Sequence, residues 1–179
     1  MKPLLIAYAT TEGHTRRIAE FMTERIEGAG HEVDLVDTAT PEAALLTPIY
    51  VGAIVGGSVH QGHHQSSLEH FVKDNASWLN AIPIAAFSVS LCAATGDEDD
   101  DAEAQRLLDD FVDECGLTAG LKGCFAGALL YSKYDFFKRF VMRLIARREG
   151  GATDTSQDYV YTDWDEVGRF VDEFLAGIE

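Results

Sequence analysis

The chain has 179 residues, of which 46% are hydrophobic and 25% charged, a composition that excludes a disordered tail or a fibre and predicts one water-soluble domain over residues 1–179. Its formal net charge of −16 argues against a nucleic acid partner, because binding phosphates requires an excess of Lys and Arg. No segment approaches the roughly 20 consecutive apolar residues that span a bilayer, so we expect a cytoplasmic protein.

Short apolar runs alternate with amphipathic segments along the chain. The apolar runs predict five strands, over residues 4–8, 32–36, 49–55, 83–89 and 124–130. Helical spacing of apolar residues predicts helices over residues 14–27, 66–79, 133–148 and 163–175, with a further helix after the acidic segment 97–101 and a short helix or turn from Pro41. Each connection is long enough for a crossover, which predicts an α/β fold with a parallel sheet, helices on both faces and an extra helix after strand five.

The loop after the first strand has the residue types of a phosphate site. It contains Thr10, Thr11, Glu12, Gly13, His14 and Thr15 and leads directly into a helix. Backbone N–H groups and the positive end of a helix dipole favour an anion there, and a glycine allows close approach of the backbone. A capped helix start without a ligand is the alternative interpretation.

Two other nucleotide sites are not supported by the sequence. The GxxxxGK[ST] pattern of a triphosphate loop is absent. The partial GxG pattern at residues 28–30 lies between a helix and a following strand, the reverse of the dinucleotide-binding arrangement. Neither ATP nor a Rossmann-bound NAD is therefore expected.

Residues 6–19, IAYATTEGHTRRIA, resemble the flavodoxin signature for FMN. The resemblance implies a flavodoxin-like fold with strand order 2-1-3-4-5, with the loop of residues 10–15 binding the FMN phosphate. In such sheets the ligand lies beyond the carboxyl ends of the strands, so the loops after strands three and four should flank the isoalloxazine. The residues expected on the two sides are Ser58, Val59, His60 and Gly62 on one, and Ser88, Val89, Ser90, Leu91 and Cys92 on the other.

Later segments narrow the resemblance. Residues 57–64, 87–91, 127–131, 150–155 and 161–164 are similar to the menaquinone-dependent protoporphyrinogen IX dehydrogenase family. This resemblance implies an FMN enzyme that oxidises a tetrapyrrole, protoporphyrinogen IX, and passes electrons to a quinone. The alternatives are an electron-transfer flavodoxin and an NAD(P)H:quinone reductase with a different electron donor.

Two clusters resemble metal sites without completing one. Four of the six histidines lie within residues 60–70, at His60, His63, His64 and His70. No Cys or carboxylate stands at a spacing that completes a tetrahedral site, so we expect no metal. Asp97, Asp99 and Asp101 alternate like the start of a calcium loop, but the glycine and the final acid of that loop are missing. A solvated acidic face is the interpretation that remains.

Residues 133–148 contain 6 of the 14 basic residues of this acidic chain. Phenylalanines fall on one side of the predicted helix and arginines on another. This pattern is typical of a helix that lies on an anionic membrane surface, and equally of a helix whose apolar face packs on its own domain. The first interpretation predicts peripheral contact with the cytoplasmic face of the membrane.

The excess of carboxylates is spread along the chain rather than confined to one segment. Such a surface repels itself at low ionic strength and is stabilised when salt screens the charges. The sequence therefore predicts adaptation to a high-salt environment.

Overall fold

A computed structural model describes residues 2–129 and 159–178. Five strands form one parallel sheet in the order β2-β1-β3-β4-β5. The strands are β1 Leu4–Ala9, β2 Val33–Asp37, β3 Ala53–Ser58, β4 Ile84–Ser90 and β5 Leu121–Ala126. The α-helices in the described part of the chain are α1 His14–Gly28, α2 Ser66–Leu79, α3 Glu98–Glu114 and α4 Trp164–Ala176. This is the flavodoxin-like fold and strand order expected from the sequence.

Shorter elements complete the described chain. A small antiparallel pair joins β6, Ala128–Leu129, to β7, Tyr159–Val160. Pro41–Leu45 and Cys92–Ala94 form 3-10 turns, the first of them at the short helix or turn predicted from Pro41. Among the residues described, no helix has both the length and the apolar character needed to cross a membrane.

The sheet is covered by helices on both faces, which explains why its central strands are apolar throughout. Every residue of β1 and β4 is buried, as expected for strands of a doubly covered parallel sheet. One apolar layer joins the sheet to α2 and α3, and the other joins it to α1 and α4. Gly56 lets β3 pass β4, since a Cβ atom there would lie 2.3 Å from the ring and carbonyl oxygen of Phe87.

Acidic residues begin the last two described helices. The Asp97 carboxylate accepts a hydrogen bond from the Asp99 backbone N–H at 3.1 Å and caps α3. The four residues after Asp97 are all acidic and occupy the first turn, where negative charge is stabilised by the helix dipole. Asp163 caps α4 in the same way. The carboxylates of residues 97–101 are thus accounted for by helix capping.

Two strand boundaries predicted from the sequence are wrong. β3 begins at Ala53 rather than at residue 49, because Ile49 is 46% exposed and the chain joins β4 only where the Ala53 N–H bonds to the Pro83 carbonyl. β5 occupies Leu121–Ala126 rather than residues 124–130, because after Gly127 the chain pairs with β7. The predicted extra helix at 133–148 and the loop at 150–155 lie outside the described residues.

Candidate functional site

A cleft of about 300 Å³ opens at the carboxyl ends of the central strands. It lies at the switch point where β1 and β3, adjacent in the sheet, lead to opposite faces, the usual ligand position in such folds. Its lining residues are Thr10, Thr11, Glu12, His14, Thr15, Ser58, Val59, His60, Gln61, Gly62, Val89, Ser90, Leu91, Cys92, Glu103, Leu107, Gly127 and Ala128. The structure thus brings together all but two of the residues that the sequence indicated, the exceptions being Gly13 and Ser88.

The loop after β1 is shaped by Gly13. Its φ of +90° lies in the left-handed region, which residues with a Cβ atom rarely adopt. The Gly13 N–H donates to the Thr10 hydroxyl at 2.9 Å, and the Gly13 carbonyl accepts from the Arg17 N–H at 3.3 Å. This closes the loop over the start of α1, where the first N–H groups have no acceptor within the helix. Gly13 therefore serves the cleft through its backbone.

Thr15 and Glu12 carry buried polar atoms that the described residues leave unpaired. The Thr15 side chain is 1% exposed, and its hydroxyl has no hydrogen-bond partner in the described part of the chain. The same holds for Oε1 of Glu12. Leaving such groups unpaired is costly, so a bound group is the natural partner. The Thr15 hydroxyl can donate to a phosphate, and the Glu12 carboxylate can accept from hydroxyl groups next to that phosphate.

Among the described residues that line the cleft, none is Lys or Arg. In the described part of the cleft, the groups available to an anion are hydroxyls and the backbone N–H groups at the start of α1. That donor set fits the phosphate of FMN.

His14 is held by a residue that sequence reasoning missed. The Thr162 hydroxyl donates to the Ala126 carbonyl at 2.7 Å, so it must accept from Nε2 of His14, which lies 2.6 Å away. Burial lowers the pKa of His14, and the charge of Arg17 lowers it further. Both effects favour the neutral imidazole, and the hydrogen bond to Thr162 places its proton on Nε2. This contact joins the loop after β1 to the segment that precedes α4.

The loop after β3 forms a tight turn beside the cleft. The His60 N–H bonds to the His63 carbonyl at 2.8 Å, and the His63 N–H bonds to the His60 carbonyl at 3.1 Å. Between them, Gln61 and Gly62 have φ values of 51° and 81°, as a primed hairpin turn requires. The Val59 N–H bonds to the Val89 carbonyl at 2.8 Å. The turn is thus fixed to the end of β4.

Gln65 links two of these loops, and sequence reasoning missed it as well. Its Nε2 atom donates to the Thr11 hydroxyl at 3.0 Å and to the hydroxyl of Ser58. No local pattern marks Gln65, because its partners come from the loops after β1 and β3.

Ser88 is not among the residues that line the cleft. Its hydroxyl is within 3.1 Å of Nε2 of His64, whose ring stacks on Phe111 with a centroid distance of 4.5 Å. Burial lowers the pKa of His64 to about 4. Side chains alternate along a strand, so Val89 faces the layer of α1 and α4 while Ser88 faces α2 and α3. Ser88 is thus a partner of a buried, neutral histidine.

The other histidines of the cluster are separated by the turn. His60 and His63 close its ends, and His70 is exposed on α2. No group of three or more His, Cys, Asp or Glu side chains in residues 2–129 and 159–178 is arranged to hold a metal ion.

The far wall of the cleft is formed by α3, which the sequence did not indicate. Glu103 and Leu107 lie one helical turn apart and both face the cleft. Arg106 donates to both carboxylate oxygens of Glu103, at 2.8 and 2.6 Å, and lowers the pKa of that carboxyl. The wall therefore presents a carboxylate beside an apolar side chain.

Comparison with known proteins agrees with this geometry. The flavodoxin domain family matches residues 5–156. A protoporphyrinogen IX dehydrogenase [quinone] of Leishmania major is 34% identical over 173 residues, covering 96% of this chain and 74% of the relative. The protein of the same name from Escherichia coli (strain K12) is 32% identical over 175 residues, covering 94% of this chain and 92% of the relative.

Among solved structures, the flavodoxin of Streptococcus pneumonia TIGR4 superposes with a TM-score of 0.59 at 18% identity, covering 97% of this chain and 98% of that one. At this identity the likeness concerns the fold alone. The fit of the cleft to a phosphate and the match of the flavodoxin domain family over residues 5–156 identify FMN as the cofactor. The chain belongs to the flavodoxin superfamily, in the family that contains these protoporphyrinogen IX dehydrogenases, and is an FMN-dependent oxidoreductase.

Proposed function

We propose that this protein oxidises protoporphyrinogen IX with its FMN and passes the six electrons, two at a time, to three molecules of menaquinone. The observation that carries the proposal is the identity of 34% and 32% to two protoporphyrinogen IX dehydrogenases [quinone] over 96% and 94% of the chain. Such a match extends over the cleft loops as well as the core. In this proposal, residues 1–179 form one domain with one flavin site.

In the proposed site, the loop after β1 holds the phosphate. The hydroxyls of Thr10, Thr11 and Thr15 and the N–H groups after Gly13 supply donors, and the Glu12 carboxylate accepts from the ribityl hydroxyls. The loops after β3 and β4 would hold the isoalloxazine between them. The residues assigned to its two sides are Ser58, Val59, His60 and Gly62 on one, and Val89, Ser90, Leu91 and Cys92 on the other. Ser88, also expected beside the ring from the sequence, contacts His64 instead.

When bound, FMN accepts a pair of electrons from one substrate and delivers it to another. The protein's contribution is to hold the ring, to exclude water and to leave one side open. Val59, Val89 and Leu91 provide apolar contacts for a flat ring, while Glu103 and Leu107 border the side that a donor would approach. The Glu103 carboxylate is fixed by Arg106 and accepts hydrogen bonds, which suits the N–H groups of a reduced tetrapyrrole.

The quinone acceptor resides in a bilayer, so the proposed reaction needs contact with a membrane surface. We place this contact in residues 133–148, a segment outside the described residues whose sequence combines phenylalanines with arginines. The protein would then act in the cytoplasm, peripherally on the cytoplasmic membrane.

A second candidate function is electron transfer without a small organic substrate. It is favoured by the net charge of −16 and by the flavodoxin-like fold, since an acidic surface beside a flavin can dock a cationic protein partner. A carrier of this kind would not need space for a small substrate beside Glu103 and Leu107.

An anaerobic turnover assay tests the proposal. One reaction contains the protein, protoporphyrinogen IX and a menaquinone analogue, and a parallel reaction contains NADPH in place of the tetrapyrrole. We expect turnover in the first reaction, seen as formation of the porphyrin, and no reduction of the quinone by NADPH in the second. Turnover confined to NADPH would indicate an NAD(P)H:quinone reductase, and no turnover in either would indicate the carrier.

A further inference from the structure

Gln65 joins the two loops that are proposed to hold opposite ends of the flavin. It immediately precedes α2, and its carbonyl accepts the N–H groups of Leu68 at 3.0 Å and Glu69 at 3.2 Å, which fixes its backbone. Its side-chain nitrogen donates to the hydroxyls of Thr11 and Ser58. These two residues line the cleft from β1 and from β3. One amide group thus contacts both loops.

The Gln65 side chain occupies space that a glycine provides. A Cβ atom at Gly57 would lie 2.8 Å from Oε1 of Gln65 and 2.9 Å from the Leu68 side chain. Atoms cannot approach that closely, so any larger residue at position 57 would displace the amide. The absence of a side chain at Gly57 therefore leaves the space that the Gln65 amide occupies.

The orientation of the amide follows from its hydrogen bonds. Oε1 of Gln65 is buried and has no partner among the described residues. Rotating the amide by half a turn would pair the oxygen with the two hydroxyls, but it would bury the NH₂ group with both of its donors unpaired. Two unpaired donors cost more than one unpaired acceptor. The nitrogen therefore faces Thr11 and Ser58.

This orientation determines which way the two hydroxyls can donate. Each hydroxyl oxygen accepts a hydrogen from Gln65, so neither hydroxyl hydrogen is used for that contact. Both hydroxyls line the cleft, so both hydrogens are available to a bound acceptor. We propose that Gln65 is a positioning residue that makes Thr11 and Ser58 donors toward FMN. This inference rests on the proposed flavin site.

Gln65→Glu reverses the proposed polarity with almost no change in shape. A carboxylate accepts from both hydroxyls and withdraws their hydrogens from the cleft. We expect FMN binding to weaken roughly tenfold to hundredfold at about pH 8. Binding should recover in part, relative to the unaltered protein, as the pH falls toward about 4, where a growing fraction of the carboxyl is protonated and can donate to one of the two hydroxyls. Riboflavin, which lacks the phosphate, should be affected less than FMN.

Two variants separate polarity from shape and from charge. Gln65→Met keeps the length but removes the amide, so the hydroxyls rotate freely and the loss of FMN affinity should be smaller and independent of pH. Ser66→Glu puts a carboxylate on the neighbouring exposed residue and should change FMN affinity less than Gln65→Glu does. Thermal melting of each apo-protein verifies that the variants are folded.

Flavin fluorescence quenching measures all the affinities. Equal, pH-independent losses for Gln65→Glu and Gln65→Met, or equal losses for Gln65→Glu and Ser66→Glu, would overturn the inference. Thr15→Val, measured in parallel, distinguishes this failure from failure of the proposed site. If Thr15→Val weakens FMN binding and Gln65→Glu does not, only the role of Gln65 is wrong. If neither variant weakens binding, the phosphate site is wrong as well.

Discussion

The Thr15 hydroxyl is buried at the start of α1 with no partner among the described residues. In the FMN-bound protein we expect it to donate to the phosphate, a charge-assisted bond. Thr15→Val has the same shape and should weaken FMN binding by about 1.5–3 kcal/mol. The apo-protein should be as stable as the original or more stable, because the variant removes an unpaired polar atom. Fluorescence titration and urea unfolding measure the two effects.

Thr23→Val is the matched control for this substitution. Thr23 lies on the same helix, and its hydroxyl bonds to the Ala19 carbonyl at 2.9 Å, away from the cleft. FMN affinity should be unchanged in this variant. If Thr15→Val instead destabilised the apo-protein and bound FMN normally, the hydroxyl would have a structural role only.

His64 makes stability depend on pH. Its pKa is lowered by burial to about 4, whereas in the unfolded chain it should be about 6.5, so below pH 6.5 protons bind preferentially to the unfolded state. The stabilising contribution is present above pH 6.5 and falls as the pH approaches 4, by roughly 3 kcal/mol in total. His64→Gln keeps a partner for Ser88 but does not titrate, so it should flatten this part of the urea-unfolding profile.

His70→Gln provides the comparison for His64→Gln. His70 is exposed on α2, so this variant controls for the removal of an exposed histidine, and the profile should change more in His64→Gln. If the stability of the original protein and of both variants depended on pH in the same way, His64 would be protonated equally in the folded and unfolded states. That result would contradict the prediction.

The site residues expected from the sequence share one property, which is that they lie in contiguous segments at or just after the ends of strands. Residues 10–15 were recognisable because the donors and the glycine stand together before a helix. Gln65 and Thr162 act through partners on other elements, and Thr162 contacts His14 across 148 positions. In the sequence, Glu103 and Leu107 occupy ordinary positions of an amphipathic helix, so nothing distinguishes them as site residues. Such contacts depend on the folded arrangement rather than on spacing in the sequence.

The sheet was predictable at the level of its elements because buried central strands are long apolar runs. The strand boundaries were less predictable, because the apolar run and the hydrogen-bonded run do not end at the same residues. Ile49 is apolar but exposed, while Gly56 belongs to β3 although glycine is a poor strand former. In the edge strand β5, Lys122 pairs with Ala86 of β4. One face of an edge strand can carry a charge.

The segment 133–148 carries the prediction of membrane contact. With Arg139, Arg143 and Arg147 all changed to Gln, binding to anionic vesicles should weaken, by about 1 kcal/mol for each residue near the surface at low salt. FMN content should not change. Co-sedimentation with vesicles of mixed neutral and anionic lipid measures the binding.

Changing Phe136, Phe137 and Phe140 to Ser separates the apolar contribution. At high salt the electrostatic attraction is screened, so these substitutions should then have the larger effect on vesicle binding. Equal co-sedimentation of the original protein and both triple variants, at low and at high salt, would assign this segment to packing within the protein.

For the whole molecule, the net charge of −16 predicts strong dependence of stability on salt. Screening should reduce repulsion between carboxylates, and we expect the melting temperature to rise by roughly 5 °C between dilute buffer and molar sodium chloride. The added salt should be a chloride, because sulfate stabilises most proteins by exclusion from their surfaces and would obscure the effect of charge screening. A melting temperature that stayed constant or fell would contradict salt adaptation.

The central claim is that the flavin in this cleft receives electrons from protoporphyrinogen IX and gives them to a quinone. The most direct measurement follows the visible absorbance of the FMN-loaded protein in an anaerobic cuvette. Addition of protoporphyrinogen IX should bleach the oxidised flavin as porphyrin fluorescence appears, and a menaquinone analogue should then restore the flavin spectrum. A flavin that stays oxidised with the tetrapyrrole but is bleached by NADPH would contradict the claim.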